Sequence, residues 1–213
     1  LRGHAVTLVD RRGPGQETSY GNAGLIQREA VEPYPFPRDW ATLLRVALKR
    51  GADVNYHLTA LPTVAAPLAR YWANSTPERH ARIAQAYGRL IEHCTTEHQV
   101  LIERAGANDL VRRDGYRFVF RDAASFEAGA ARAQALATSH GLRHVVQDSD
   151  ALAQAEPALR QRMAGAIHWL DTWAVSDPGE LVERYAALFQ QLGGQMARGD
   201  ATTLQATASG WRV

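Results

Sequence analysis

The chain has 213 residues, 46% of them hydrophobic and 22% charged, with a formal net charge of +2. That is enough for a sizeable core in one large or two small domains, and too little charge, with no basic run longer than two residues, for a nucleic-acid footprint. The single cysteine, Cys94, excludes an internal disulfide framework and a thiolate zinc site. No apolar run reaches the ~18 residues of a membrane span, and no signal-peptide pattern opens the sequence.

Residues 1–3 read as the last turn of a helix capped by Gly3. Residues 5–9, AVTLV, form a short apolar run expected of a buried parallel strand, and Asp10 closes it. An acid at the carboxyl end of such a strand is placed to accept the hydroxyls of an adenosine ribose; an acid that merely opens a turn has the same signature. Arg11, Arg12, Gly13, Pro14 and Gly15 are a turn by composition, with the arginines at the ribose edge or simply solvated. Thr18 and Ser19 can cap a short helix, and Gly21 and Gly24 let backbone come close to a ligand, although a turn-rich loop has the same residues.

Residues 32–37 alternate Pro33, Pro35 and Pro37 with Tyr34 and Phe36, an extended link whose aromatics pin it to the surface or face an active-site cavity. A helix follows over 38–50, with Trp40, Leu43, Leu44, Ala47 and Leu48 on one stripe and Gly51 as its stop. Residues 52–62 have no period and read as a loop containing Tyr56 and a surface His57. A short helix is expected to start near Pro67. Thr76 and Pro77 open a long helix running to Gly106, with Ile83, Tyr87, Leu90, Ile91, Cys94, Leu101 and Ile102 at helical spacing. His80, His93 and His98 lack the spacing of a helical metal pair, and Cys94 falls on the apolar stripe as a buried small residue.

Residues 116–120 alternate as a half-buried strand. An alanine-rich helix over 123–139 ends at Gly141, a strand covers 143–147, and Ser149 caps a helical turn closed by Pro157. Residues 166–173 are strand-like. Asp177, Pro178 and Glu180 start a helix to Leu192 with a capping box, its Leu181, Val182, Tyr185, Leu188 and Phe189 inward. Residues 201–204 and 211–213 read as strands of a small antiparallel meander.

The opening segment, LRGHAVTLVDRRGPGQETSYGNAG, resembles the second strand and following loop of the FAD-dependent amino-acid oxidoreductases of the D-amino acid oxidase superfamily, and within it the D-amino acid dehydrogenases. The resemblance continues at DSDALAQAEPAL, residues 148–159, and more faintly over 165–194. It implies an FAD cofactor with Asp10 on the adenosine ribose, Arg11 and Arg12 near its edge, and Thr18, Ser19, Asn22, Ala23, Gly24 and Leu25 along the pyrophosphate and flavin. Tyr116 and Arg117 become substrate-binding candidates, because in that family this strand roofs the flavin and a guanidinium can clamp a carboxylate; an outward-facing surface arginine is the alternative.

The fold class the resemblance implies is α/β with an α+β substrate region: an incomplete Rossmann-like FAD-binding domain plus a partial mixed or antiparallel-sheet substrate domain with long helices. The corresponding division is 1–37 for part of the FAD-binding domain, 38–165 for helices and substrate region, and 166–213 for a helix and meander returning to the first. Members of that family carry a glycine-rich turn before such a segment and further strands after it, so a chain truncated at both ends is expected.

The implied activity is oxidative deamination of a D-amino acid to a 2-oxo acid and ammonia, with hydride transfer to flavin and quinone or oxygen as electron acceptor. A sarcosine- or glycine-type amine oxidase of the same fold, and a non-catalytic remnant without flavin, stand as alternatives. No triad, paired-carboxylate site or reactive cysteine is apparent, which suits flavin chemistry that needs no protein acid or base. The expected location is the cytoplasm or the inner face of the cell membrane, with peripheral association and oligomerisation left open.

Overall fold

The computed structural model describes residues 3–50 and 56–213, without the Leu58 side chain. The expected helical turn at residues 1–2, the stop at Gly51 and the first part of the 52–62 loop lie outside the described residues. The chain divides into two compact units, residues 1–29 with 93–213, and residues 30–92.

The first unit holds every described strand. β1 (Thr7–Asp10) pairs in parallel with β8 (Gln195–Arg198), Thr7 opposite Gln195 and Asp10 opposite Arg198. The pairing is of the expected parallel kind, but β1 is not buried: Leu8 is 47% and Val9 37% exposed. In a two-stranded sheet β1 has one hydrogen-bonded neighbour rather than the two of a central strand.

β2 (Leu25–Ile26) and β3 (Val111–Arg112) flank β7 (Trp173–Val175) in an antiparallel sheet. β4 (Tyr116–Phe120) and β5 (His144–Asp148) flank β6 (Gly165–Trp169), also antiparallel. The single strand expected over 166–173 is therefore two strands in different sheets. They are separated by a turn at which Asp171 binds the Arg143 main-chain N–H at 3.0 Å and its guanidinium.

Helix ends follow the capping chemistry. α4 (Cys94–Arg104) is followed by Gly106 at φ +65°. α5 (Ala123–His140) runs from the Asp122 cap to Gly141 at φ +63°. α6 (Ser149–Ala155) is capped by Asp148, not Ser149: the Asp148 carboxylate accepts the N–H groups of Asp150 and Ala151. α7 (Pro178–Gln191) is capped by Asp177, whose carboxylate accepts the Glu180 N–H at 2.9 Å. Glu180 does not complete a capping box; its carboxylate holds Arg184 one turn on, at 2.5 Å. Arg184 also forks onto Asp109 at 2.6 and 3.0 Å and donates to the Gly106 carbonyl, tying α7 to the turn after α4.

The core between these elements contains Ile26, Ile102, Ala107, Leu110, Val111, Val175 and Leu181, with Cys94 and Tyr185 packed against it. Cys94 is thus half-buried against the core rather than fully inside it, and burial raises its thiol pKa. In the tail, residues expected as a strand at 201–204 form a 3-10 turn, Ala201–Thr203, because the Asp200 carboxylate captures the Thr202 N–H at 2.9 Å. Only β9 (Gln205–Thr207) and β10 (Gly210–Arg212) make an antiparallel pair there.

The second unit is helical. Its extended entry, 32–37, is pinned by one of the two aromatics and by main-chain groups, while the Tyr34 ring is exposed: the Phe36 ring meets Tyr71 edge-on at 5.3 Å, the Phe36 N–H donates to Ser75 Oγ at 2.8 Å, and the Tyr71 hydroxyl donates to the Tyr34 carbonyl at 2.6 Å. α1 (Trp40–Ala47) is capped by Asp39. α2 (Leu61–Asn74) begins six residues before the expected start at Pro67, because Pro62 takes the first turn and Pro67 lies inside, forfeiting one ladder bond. The long helix expected from Pro77 stops at Ile91, giving α3 (Pro77–Ile91) separate from α4. The Thr96 hydroxyl binds the His93 carbonyl at 3.0 Å, a local bond that favours a fresh start there.

The expected incomplete Rossmann-like domain with a partial substrate domain is corrected by this topology. The described residues fold into an α/β structure of four small sheets and seven α-helices; parallel pairing is confined to β1 and β8, and the other three sheets are antiparallel.

Candidate functional site

A cleft of about 380 Å³ lies in the first unit, between β1, the turn that follows it, β8 and α7. Its size is within the range of small-molecule sites. β1 contributes Leu8, Val9 and Asp10, the turn Gly13, Pro14, Gly15, Glu17, Thr18 and Ser19, α7 Val182, Tyr185, Ala186 and Phe189, and β8 Met196.

The turn holds its shape through local bonds. The Asp10 carboxylate accepts the Arg12 N–H at 3.1 Å, the Gln16 side-chain carbonyl accepts the Gly13 N–H at 3.2 Å, and the Gln16 N–H reaches the Gly13 carbonyl. Gly15 is buried at φ +76°, and a Cβ there would stand 2.3 Å from the Gly179 carbonyl oxygen. The turn thus docks backbone to backbone on the first turn of α7, which only glycine allows.

Of the predicted cofactor residues, Asp10, Thr18 and Ser19 are brought together on the cleft wall. Arg11 and Arg12 are exposed and both pair with Glu17, at 3.3 and 3.2 Å, so the two cations sit at the Glu17 edge of the cleft. Residues 18–21 form turns rather than the short helix that Thr18 and Ser19 were expected to cap. Asn22, Ala23, Gly24 and Leu25 do not line the cleft. Asn22 accepts the Gly24 N–H at 2.8 Å, and Leu25 pairs with Ala174 in the β2–β7 ladder. Gly24, at φ +61°, lies where a Cβ would stand 2.1 Å from the Val175 carbonyl oxygen. Its close approach is to neighbouring backbone.

The predicted substrate residues stand apart from the cleft. Arg117 donates to Gln147 at 2.9 Å and pairs with Glu156 at 2.8 Å, which occupies its guanidinium on the β4–β6–β5 sheet. Tyr116 lies beside it in β4, opposite Trp169.

Sequence reasoning gave α7 its inward stripe but no place in a cleft. That place depends on β8 returning beside β1 across the whole length of the chain, which no local signal announces. His98 was weighed only for metal spacing; its Nδ1 lies 2.9 Å from the Tyr185 hydroxyl at the back of the cleft wall. Burial lowers the His98 pKa and pushes that of Tyr185 up to about 12, favouring the uncharged form of each.

The family model described as FAD dependent oxidoreductase (DAO) matches residues 1–213. The chain belongs to the FAD-dependent oxidoreductase family. Among its relatives, a D-amino acid dehydrogenase of Chromohalobacter salexigens is 30% identical over 174 residues, 80% of this chain and 41% of that protein. A D-amino-acid oxidase of Bradyrhizobium diazoefficiens is 27% identical over 206 residues, 95% of this chain and 48% of that protein. The chain therefore spans less than half the length of these relatives. The fold resembles that of glycine oxidase from Geobacillus kaustophilus, with a TM-score of 0.58 at 16% identity, covering 99% of this chain and 44% of that one. Iminodiacetate oxidase from Chelativorans sp. BNC1 aligns with a TM-score of 0.53 at 17% identity, again over 99% of this chain and 44% of that one.

The donor set of the cleft fits the adenosine part of the family's cofactor. A carboxylate closes a parallel strand, two hydroxyl side chains line the same cleft, and apolar side chains of β1, β8 and α7 supply walls for a flat ring.

Proposed function

We propose that this protein takes part in FAD-dependent oxidation of an amino-acid-like substrate, and specifically in oxidative deamination of a D-amino acid to a 2-oxo acid and ammonia. The observation that carries the reading is Asp10, placed at the carboxyl end of β1 and on the cleft wall with Thr18 and Ser19, in a chain matched along its whole length by the FAD-dependent family. The D-amino acid side of the proposal is supported by the named activities of the Chromohalobacter and Bradyrhizobium relatives.

Asp10 would hold the ribose hydroxyls, with Thr18 and Ser19 as further hydrogen-bonding groups and the Arg11 and Arg12 cations beside the phosphates. FAD, when bound, supplies the hydride acceptor. The chain's own residues orient and shield: the Gly15–Gly179 contact fixes the turn that carries Thr18 and Ser19, and the apolar stripe of α7 closes the back of the cleft against water.

Replacing Asp10 by Ala tests the assignment in the purified protein. A hydrogen bond to a charged group contributes about 1.5–3 kcal/mol, so the Kd for FAD, read by quenching of flavin fluorescence, should rise roughly ten- to a hundredfold while the circular dichroism spectrum stays unchanged. Absence of FAD binding by the unaltered protein, or an unaltered Kd in the variant, rejects it. Anaerobic bleaching of bound flavin by D-alanine but not by sarcosine supports the D-amino acid assignment, and the opposite pattern overturns it in favour of an amine oxidase.

A further inference from the structure

Two acids line the cleft, and they are engaged differently. Asp10 accepts the Arg12 main-chain N–H at 3.1 Å, whereas Glu17 draws in both guanidinium groups. Arg11 Nη2 at 3.3 Å and Arg12 Nε at 3.2 Å meet the same Glu17 oxygen, Oε1. The turn closed between Gly13 and Gln16 brings the three together, by returning Glu17 to residues 11 and 12. Among the described residues neither guanidinium has a second carboxylate within ion-pair distance; Asp200 lies within electrostatic range of Arg11 but beyond that distance. Two cations against one acid leave a surplus of +1 at this edge of the cleft. Each guanidinium, with its five N–H donors, spends a single contact on the shared oxygen. The Glu17 side chain is 33% exposed and those of Arg11 and Arg12 are 60% and 65% exposed, so the acid is the anchored partner and the cations are the ones with room to turn.

We propose that Glu17 is a built-in competitor for phosphate: it holds Arg11 and Arg12 while the cleft is empty, and it gives them up to the phosphates of an adenine nucleotide. The assignment rests on the cleft being the FAD adenosine site proposed above, and it names the residue that controls how the phosphate-bearing part is admitted. The exchange is favourable because phosphate oxygens accept paired N–H bonds from a guanidinium fork, whereas the shared Glu17 oxygen takes one from each. It is also cheap, since an exposed ion pair holds its partners weakly. Pairing with Glu17 therefore sets a threshold. A ligand that brings phosphates to the rim must outbid the carboxylate, and one that fills the cleft without phosphates leaves the three side chains as they are.

Calorimetric titration of the purified protein with ADP and with adenosine tests it, because the two ligands differ only in the phosphates. Glu17→Gln should lower the Kd for ADP roughly two- to thirtyfold, since releasing one exposed ion pair is worth about 1.4- to 5-fold and two are released. The Kd for adenosine should not change. About 1 M salt should remove most of the gain by screening these exposed charges. Arg11→Gln/Arg12→Gln should weaken ADP and leave adenosine unchanged, and adding Glu17→Gln to that pair should bring no further gain. Thermal midpoints serve as the folding control for each variant. An ADP Kd that stays level or rises in Glu17→Gln overturns the proposal, as does an equal change for adenosine or an arginine-pair variant that binds ADP as tightly as the parent. A gain that persists without the two arginines assigns the effect to direct repulsion between Glu17 and phosphate, and also overturns it. Failure of the unaltered protein to bind either ligand is a separate result: it removes the cofactor reading of the cleft, and this assignment with it.

Discussion

His98 and Tyr185 couple the core of the first unit to the cleft through one hydrogen bond of 2.9 Å. Burial disfavours the charged form of both, which lowers the histidine pKa from its usual 6.5 and pushes the tyrosine up to about 12. The two shifts act on stability at opposite ends of the pH scale. Below 6.5 the unfolded chain takes up a proton that folded His98 resists, so stability falls with falling pH. Above about 10 the unfolded tyrosine releases a proton that folded Tyr185 retains until about 12, so stability falls with rising pH. Urea unfolding midpoints followed from about pH 5 to about pH 11 should show both limbs. Tyr185→Phe should reduce the alkaline limb alone, leaving the part that the half-buried Cys94 thiol contributes, and His98→Gln should reduce the acid limb alone. Variants that keep the parent pH profile would show that this pair does not titrate on unfolding.

At the scale of elements, two glycines join parts of the fold that are far apart in sequence. Gly24 brings β2 onto β7 and Gly15 brings the cleft turn onto α7, both with positive φ and with a neighbouring carbonyl where a Cβ would go. Gly24→Ala should cost about 1–2 kcal/mol from the left-handed backbone alone, and more from the clash with Val175, seen as a lower urea midpoint. Gly21→Ala, equally left-handed but facing open space, should show only the backbone part. Equal losses at the two positions would mean that close packing at Gly24 contributes nothing. These contacts also mark what was legible beforehand. Thr76 and Asp177 cap locally, through a side chain and an N–H three residues on, so those two helix starts could be read from residue type, whereas Asp39 and Asp122, which cap in the same way, do not stand out in the sequence. Local competition shifted others: Asp148 displaced Ser149 as cap, and the break between α3 and α4 interrupts an apolar stripe whose spacing predicts one helix. Asp10, Thr18 and Ser19 were grouped by the family resemblance, which grouped Asn22 to Leu25 with them although these do not line the cleft. The α7 and β8 walls of the cleft were not legible, since the β1–β8 pairing joins the two ends of the chain and alternation within a strand does not name its partner.

For the whole molecule, burial is distributed unevenly between the two units. In the first, Ala166 and Ile167 of β6 are 0% and 2% exposed, on a strand with two flanking strands that also packs against α5 and α6. In the second, α1 and α2 contain no buried residue, and among the unit's described residues the buried hydrophobics are Val31 and Ala84. Apolar area removed from water is the main favourable term in folding, so the free energy of opening must differ between these regions. Hydrogen exchange at single-residue resolution should place the amides of 166–169 among the slowest in the chain. Those of α1 and α2 should be among the fastest of the helical amides, because their hydrogen bonds can open without exposing a core. Low concentrations of denaturant separate the two kinds of opening. Exchange in β6 should accelerate steeply, since it requires unfolding that exposes large surface, whereas exchange in α1 and α2 should hardly respond. Equal protection and equal denaturant dependence across both units would show instead that the chain opens as a single cooperative body.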